Sequence, residues 1–108
     1  MLLHVVALDL SHLADTDRAT LETSLATLGG MPDVKGFRLG WDEERPHVTA
    51  FAVVLPDATA LAAYREHQVH LAVAQAIRDS GARVTRVDLD WPDPPDTLAL
   101  RADSTAPR

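Results

Sequence analysis

Titratable and aromatic side chains crowd together at one place in the chain, Tyr64-Arg65-Glu66-His67-Gln68-Val69-His70. A neutral imidazole is a base and a phenol is a proton donor, so this cluster has the parts for general acid and base work near neutral pH. Other histidines come from elsewhere in the chain, at His4, His12 and His47. Spacing decides which groups can cooperate. On an unbroken helix Tyr64 and His67 share a face, while His70 lies about 120° from Tyr64 at about 100° per residue. Tyr64 and His70 therefore converge on one pocket only if the helix breaks between them. Gln68 permits a break, and β-branched Val69 favours it slightly. If His70 opens the next helix, the positive end of that helix dipole disfavours the protonated imidazole, as a base requires.

Each residue also has a plainer role. Tyr64 reads equally as a half-buried helix residue with a wet hydroxyl. His67 reads first as a histidine that bonds backbone at the break. His4 shares a strand face with Val6, Leu8 and Leu10, where a lone polar group must find a partner. It is either a pocket residue or a structural bond to a helix. His12 and His47 read as surface residues, and Trp41 and Trp91 as strand-end packing or dimer contacts. His67-x-x-His70 has thinkable metal-ligand spacing, and Asp88 or Asp90 could add carboxylates. Two histidines without a clear third ligand are a weak signal, so the expectation is no metal.

The elements that must position these groups follow from patterning. Leu3 to Leu10 is an apolar strand with Asp9 as its one charge. Asp15-Thr16-Asp17 offers N-caps and an acidic first turn, and Leu21, Leu25 and Leu28 then fall on one helical face. Gly29-Gly30 ends that helix and Pro32 prevents its return. Val34 to Trp41 alternates Phe37, Leu39 and Trp41 with Arg38 and Gly40, a half-buried strand. After the polar turn Asp42 to Pro46, His47 to Leu55 completes a hairpin. Pro56-Asp57 opens a helix over Ala58 to Glu66, with Asp57 as cap, and a further helix runs from about Leu71 to Arg78. Ser80-Gly81 stops it. Arg83 to Trp91 is the last strand, with Val87, Leu89 and Trp91 facing one way and Asp88 and Asp90 the other. The order is βαββαβ: a ferredoxin-like α+β domain with a four-stranded antiparallel sheet, spanning residues 1–91. Residues 92–108 carry prolines and polar groups and are expected to form a mobile tail.

Both faces of the first and third strands are apolar. On the first, Leu3, Val5 and Ala7 alternate with His4, Val6, Leu8 and Leu10; on the third, Val48, Ala50, Ala52 and Val54 alternate with Thr49, Phe51, Val53 and Leu55. A sheet with one wet face would alternate with polar residues, and this fold lays its helices on one face only. A second copy across a two-fold axis is the simplest cover for the other, so a homodimer is expected. The 108 residues point the same way: so short a chain gains from oligomerisation, and the absence of cysteine excludes disulfides, Fe–S clusters and thiolate zinc sites.

A net charge of −6, with ten Lys and Arg in all, argues against a nucleic-acid partner. No apolar run reaches membrane-spanning length, and Met1-Leu2-Leu3-His4 lacks a basic leader, so no membrane association and a cytoplasmic location are expected.

The run Tyr64-x-x-His67-x-x-His70, after a strand and a Pro-Asp helix start, resembles the signature of the stress-responsive dimeric A/B-barrel family. His4 in the first strand, the stop near Met31-Pro32, Gly40 in the second strand and Asp90-Trp91 closing the last are similar as well. The family usually has proline where this chain has Gln68. The resemblance covers roughly residues 3–91 and implies a ferredoxin-like fold that dimerises into an α/β barrel. It implies a pocket between helices and sheet, with His70 and Tyr64 as catalytic base and acid and no cofactor. In that pocket His4, His67, Val6, Leu8, Phe51 and Val53 would contact a small-molecule, ketide-like substrate. A further pocket histidine of one member of the family falls, by ungapped alignment, on Thr49 here. The activity implied is cyclisation or lyase chemistry; a non-catalytic binding or stress-associated dimer and a cofactor-independent monooxygenase stay open beside it.

Overall fold

A computed structural model describes residues 1–91; the expected tail, 92–108, lies outside them. The elements run β1 (Leu2–Asp9), α1 (Asp15–Ala26), β2 (Gly36–Trp41), β3 (Val48–Leu55), α2 (Ala58–Glu66), α3 (Gln68–Ser80) and β4 (Arg83–Asp90). The sheet order is β2-β3-β1-β4 with every pair antiparallel. This is the ferredoxin-like α+β fold expected from the pattern. Strand limits differ from the sequence reading by one or two residues, as is usual where ends fray.

Three local departures have physical causes. The cap of α1 is Ala14, one residue before the expected Asp15-Thr16-Asp17, and no side chain bonds it. Asp15 lies in the first turn instead, where it pairs with Arg18 at 2.9 Å and suits the dipole. Gly29-Gly30 does not stop the helix at once. The chain tightens into a 3₁₀ turn over Thr27–Gly30, and a β-carbon on Gly29 would lie 3.0 Å from the Phe37 ring. Glycine is there for close approach as well as for termination. Finally, α3 begins at Gln68, three residues earlier than expected.

Asp57 caps α2 as anticipated, accepting from Ala60 N at 2.8 Å. Gly81 ends α3 with φ of 73°, a left-handed conformation that favours glycine. Leu8, Leu10, Leu25, Leu28, Val53 and Leu55 are fully enclosed between sheet and helices.

Register fixes the two sheet faces. Opposed residues of antiparallel strands share a face, and His4 opposes Val53 on one side and Asp88 on the other. His4, Val6, Leu8, Phe51, Val53, Arg86 and Asp88 thus face the helices. The other face carries Leu3, Val5, Ala7, Val48, Ala50, Ala52, Val54, Val87 and Leu89. Val87 keeps 48% of its surface, and no helix of the described residues packs on this face. No described helix is long and apolar enough to cross a membrane.

Candidate functional site

The break between α2 and α3 is one residue wide. His67 ends one helix and starts the next, with φ −68° and ψ 143°. Its Nδ1 accepts a hydrogen bond from Val69 N at 3.1 Å, and its carbonyl accepts from Leu71 N at 2.9 Å. The imidazole therefore does what Ser, Asp or Asn does at most helix starts. Gln68 occupies the first position of α3, where a backbone N–H has no helical partner in any case and where proline is well tolerated. A histidine cap, with no proline, makes the break.

The consequence is convergence. The Tyr64 and His70 ring centres lie 4.8 Å apart, and Tyr64 meets His4 edge-on at 5.6 Å. His4 in turn meets Phe51 at 6.3 Å. These four rings come from β1, β3, α2 and α3.

Hydrogen bonds set the proton positions. The carbonyl of Arg65, freed by the helix break, lies 3.1 Å from His70 Nδ1 and can only accept, so Nδ1 carries the hydrogen and Nε2 keeps its lone pair. Burial, the largest influence, pushes the His70 imidazole below its ordinary value. The Arg65 carbonyl opposes this, while the neighbouring His4, Arg65 and Arg86 add to it. His70 is thus a neutral base at pH 7. Burial also drives the Tyr64 phenol well above its ordinary range, so it stays protonated. Tyr64 is 2% exposed, and its hydroxyl has no hydrogen-bond partner.

His4 is 3% exposed and bonds through Nδ1 to Asp88 Oδ1. The other carboxylate oxygen takes Arg65 Nη2 at 2.7 Å. Burial raises the Asp88 carboxyl, but the His4 bond and the charges of His4, Arg65 and Arg86 outweigh it and hold the group below the usual carboxylate range. A lone histidine on an apolar strand face needed a partner, and the partner lies on a neighbouring strand rather than on a helix.

Beside these groups is an open cavity of about 300 Å³. Its wall includes His4, Val6, Phe51 and His70 from the sequence-derived set. Tyr64 packs behind His4 and His70. Leu8 and Val53 lie fully enclosed in the core, and His67 is engaged in its cap; none of the three reaches the cavity wall. Thr49 is buried away from it and bonds Glu22 Oε2 at 2.8 Å. Sequence reasoning missed Arg65, Arg78, Arg86 and Val84 on the wall, and Asp88 behind it. The one signal was the alternation of β4, which puts Val84, Arg86 and Asp88 on a single face. Among the described residues no three His, Asp or Glu side chains gather as a metal ligand set.

No family model matches the sequence, and no curated protein matches it. Solved structures do match the fold. A dimeric ferredoxin-like protein of unknown function from Jannaschia sp. CCS1 is 23% identical with a TM-score of 0.69, over 83% of this chain and 98% of that one. At3g17210 from Arabidopsis thaliana is 20% identical with a TM-score of 0.71, over 87% and 98%. SnoaB, a cofactor-independent oxygenase from Streptomyces nogalater seen in a mutant form, is 15% identical with a TM-score of 0.71, over 86% and 94%. At these identities the likeness is one of fold.

Proposed function

We infer that this chain is a homodimeric small-molecule enzyme that moves protons on a ketide-like substrate without a cofactor, with His70 as base and Tyr64 as acid. The observation that carries this reading is the 4.8 Å approach of the protonated Tyr64 phenol to the neutral imidazole of His70, which lines a cavity. In the reaction proposed, His70 Nε2 takes a hydrogen from a carbon flanked by two carbonyls. The resulting enolate attacks a second carbonyl of the same chain, forming one C–C bond. The alkoxide so produced takes the Tyr64 proton, and the imidazolium returns its proton to the phenolate. Nothing is oxidised or reduced, and both residues end as they began.

Two unpartnered polar atoms support an oxygen-bearing ligand. Among the described residues, Tyr64 Oη and Arg65 Nε are the buried side-chain polar atoms that make no hydrogen bond. Buried polar groups are ordinarily satisfied, so a ligand carbonyl or alkoxide is a natural partner once the wall at His70 moves to admit it. The same acid and base assignment resembles that of olivetolic acid cyclase, a member of the A/B-barrel family. The homodimer rests on the apolar open face of the sheet and on the dimeric description of a similar fold.

A second reading, cofactor-independent oxygenation, is favoured by the likeness to the SnoaB fold. The two are separated by incubating the protein with a linear triketo carboxylate, with and without dioxygen. Cyclisation gives the same rate in both and a product isomeric with the substrate. A rate that needs dioxygen supports the oxygenase. No rate above background in either sinks both and leaves a binding protein.

A further inference from the structure

The cavity is cationic in an acidic protein. Arg65, Arg78 and Arg86 contribute guanidinium groups to its wall, and no carboxylate lies on that wall. Arg65 is engaged by Asp88, which also holds His4. Arg78 and Arg86 are not: among the described residues neither lies within ion-pair distance of an Asp or Glu. Arg78 Nη2 instead donates to Gln75 Oε1 at 3.0 Å on the same helix, a neutral bond that steadies the side chain without cancelling its charge. Three guanidinium groups against the single carboxylate of Asp88 leave the site net positive. The rest of the wall is apolar, with Val6, Leu28, Phe51, Val73, Ile77 and Val84.

The geometry points to an amphiphilic monoanion as the ligand: an apolar acyl or aryl body seated against Phe51 and Val73, and a carboxylate held by Arg86 and Arg78. A planar fork of N–H donors matches the paired oxygens of a carboxylate, as it does those of a phosphate, and a carboxylate is the smaller charge to seat beside an apolar wall. An edge strand in need only of protection from pairing could place its charges on either face. Here β4 puts Arg83 on the open face, opposite Asp9, and Arg86 on the cavity face, opposite Val6. Arg83 is therefore an internal control.

The inference deepens the proposed function, since it names the substrate class of the same cavity, but binding can be read without turnover. The probes are octanoate and its neutral amide, octanamide, titrated calorimetrically into the intact chain. The carboxylate should bind at least tenfold more tightly than the amide. Arg86→Gln should remove most of that preference, Arg78→Gln part of it, and Arg83→Gln none. His70→Ala should keep the preference even where turnover is lost, which separates failure of the chemistry from failure of the anion site. Equal affinity for the two probes overturns the inference. So does a preference that survives the double Arg78→Gln, Arg86→Gln variant, or a lack of saturation by either probe at millimolar concentration.

Discussion

The rings of Tyr64 and His70 lie 4.8 Å apart although the two residues are six positions apart, a separation that on a continuous helix would point them about 120° from each other. The difference is made at His67, where backbone in an extended conformation turns one helix into two. The closeness of the proposed acid and base thus depends on a helix cap.

That dependence is testable at His67 and Gln68. His67→Ala removes the acceptor of Val69 N and should cost about 1 kcal/mol, the usual worth of an N-cap, read by urea denaturation. Gln68→Pro should be tolerated and raise stability by about 0.5 kcal/mol, because the first position of α3 suits proline and the substitution restricts the unfolded chain. A destabilising proline would show that the break is held some other way.

Asp88 ties three elements together, β1 through His4, β4 itself and α2 through Arg65. Asp88→Ala leaves a buried imidazole N–H unpaired and should cost about 1–3 kcal/mol at pH 7. The carboxyl titrates below its ordinary value of 3.8 in the folded protein, so its contribution is present above that pH and is lost as pH falls through the folded value. The stability gap between wild type and variant should accordingly close in strong acid. A gap independent of pH would mean that the ion pairs contribute little.

For His70 the sign is reversed in cause but not in outcome. A buried neutral imidazole resists protonation, so the folded chain binds fewer protons than the unfolded one as pH drops below 6.5. Stability should fall over that range, and the fall should be smaller in His70→Ala. By NMR the His70 ring should titrate below 6.5, and the acid limb of kcat/KM should share that midpoint. A ring that titrates at or above 6.5 contradicts the burial.

The open sheet face tests the dimer. Val87→Asp and Ala52→Asp place charges amid Val5, Ala7 and Val54 without touching the helix side. Sedimentation equilibrium at tens of micromolar should show a dimer for wild type and a shift to monomer for the pair of substitutions. A monomeric wild type contradicts the inferred assembly.

Much of the fold was legible because hydrophobic period alone separates the strands from the helices, and because both faces of β1 and β3 are apolar where only one set of helices exists. The need for a break near Gln68 was legible too, from the angular spacing of Tyr64, His67 and His70. Its mechanism was not, since proline is the obvious breaker and a histidine cap depends on the local path of the backbone. Asp88 and Arg86 were hidden for another reason. Alternation places them on one face of β4, but only the pairing of Asp88 with His4 shows that this face meets the cavity. Leu8 and Val53 share the inward faces of their strands, yet position along a strand decides between cavity and sealed core. That depth is a tertiary property.

The most direct test of the acid–base assignment is the anaerobic turnover of a linear triketo carboxylate by wild type, His70→Ala and Tyr64→Phe, each first shown to be folded. Wild type should cyclise the probe, with His70→Ala slower by about 10²–10⁴-fold, the range that a positioned base contributes, and Tyr64→Phe slower as well. Undiminished rates in both variants would contradict the account.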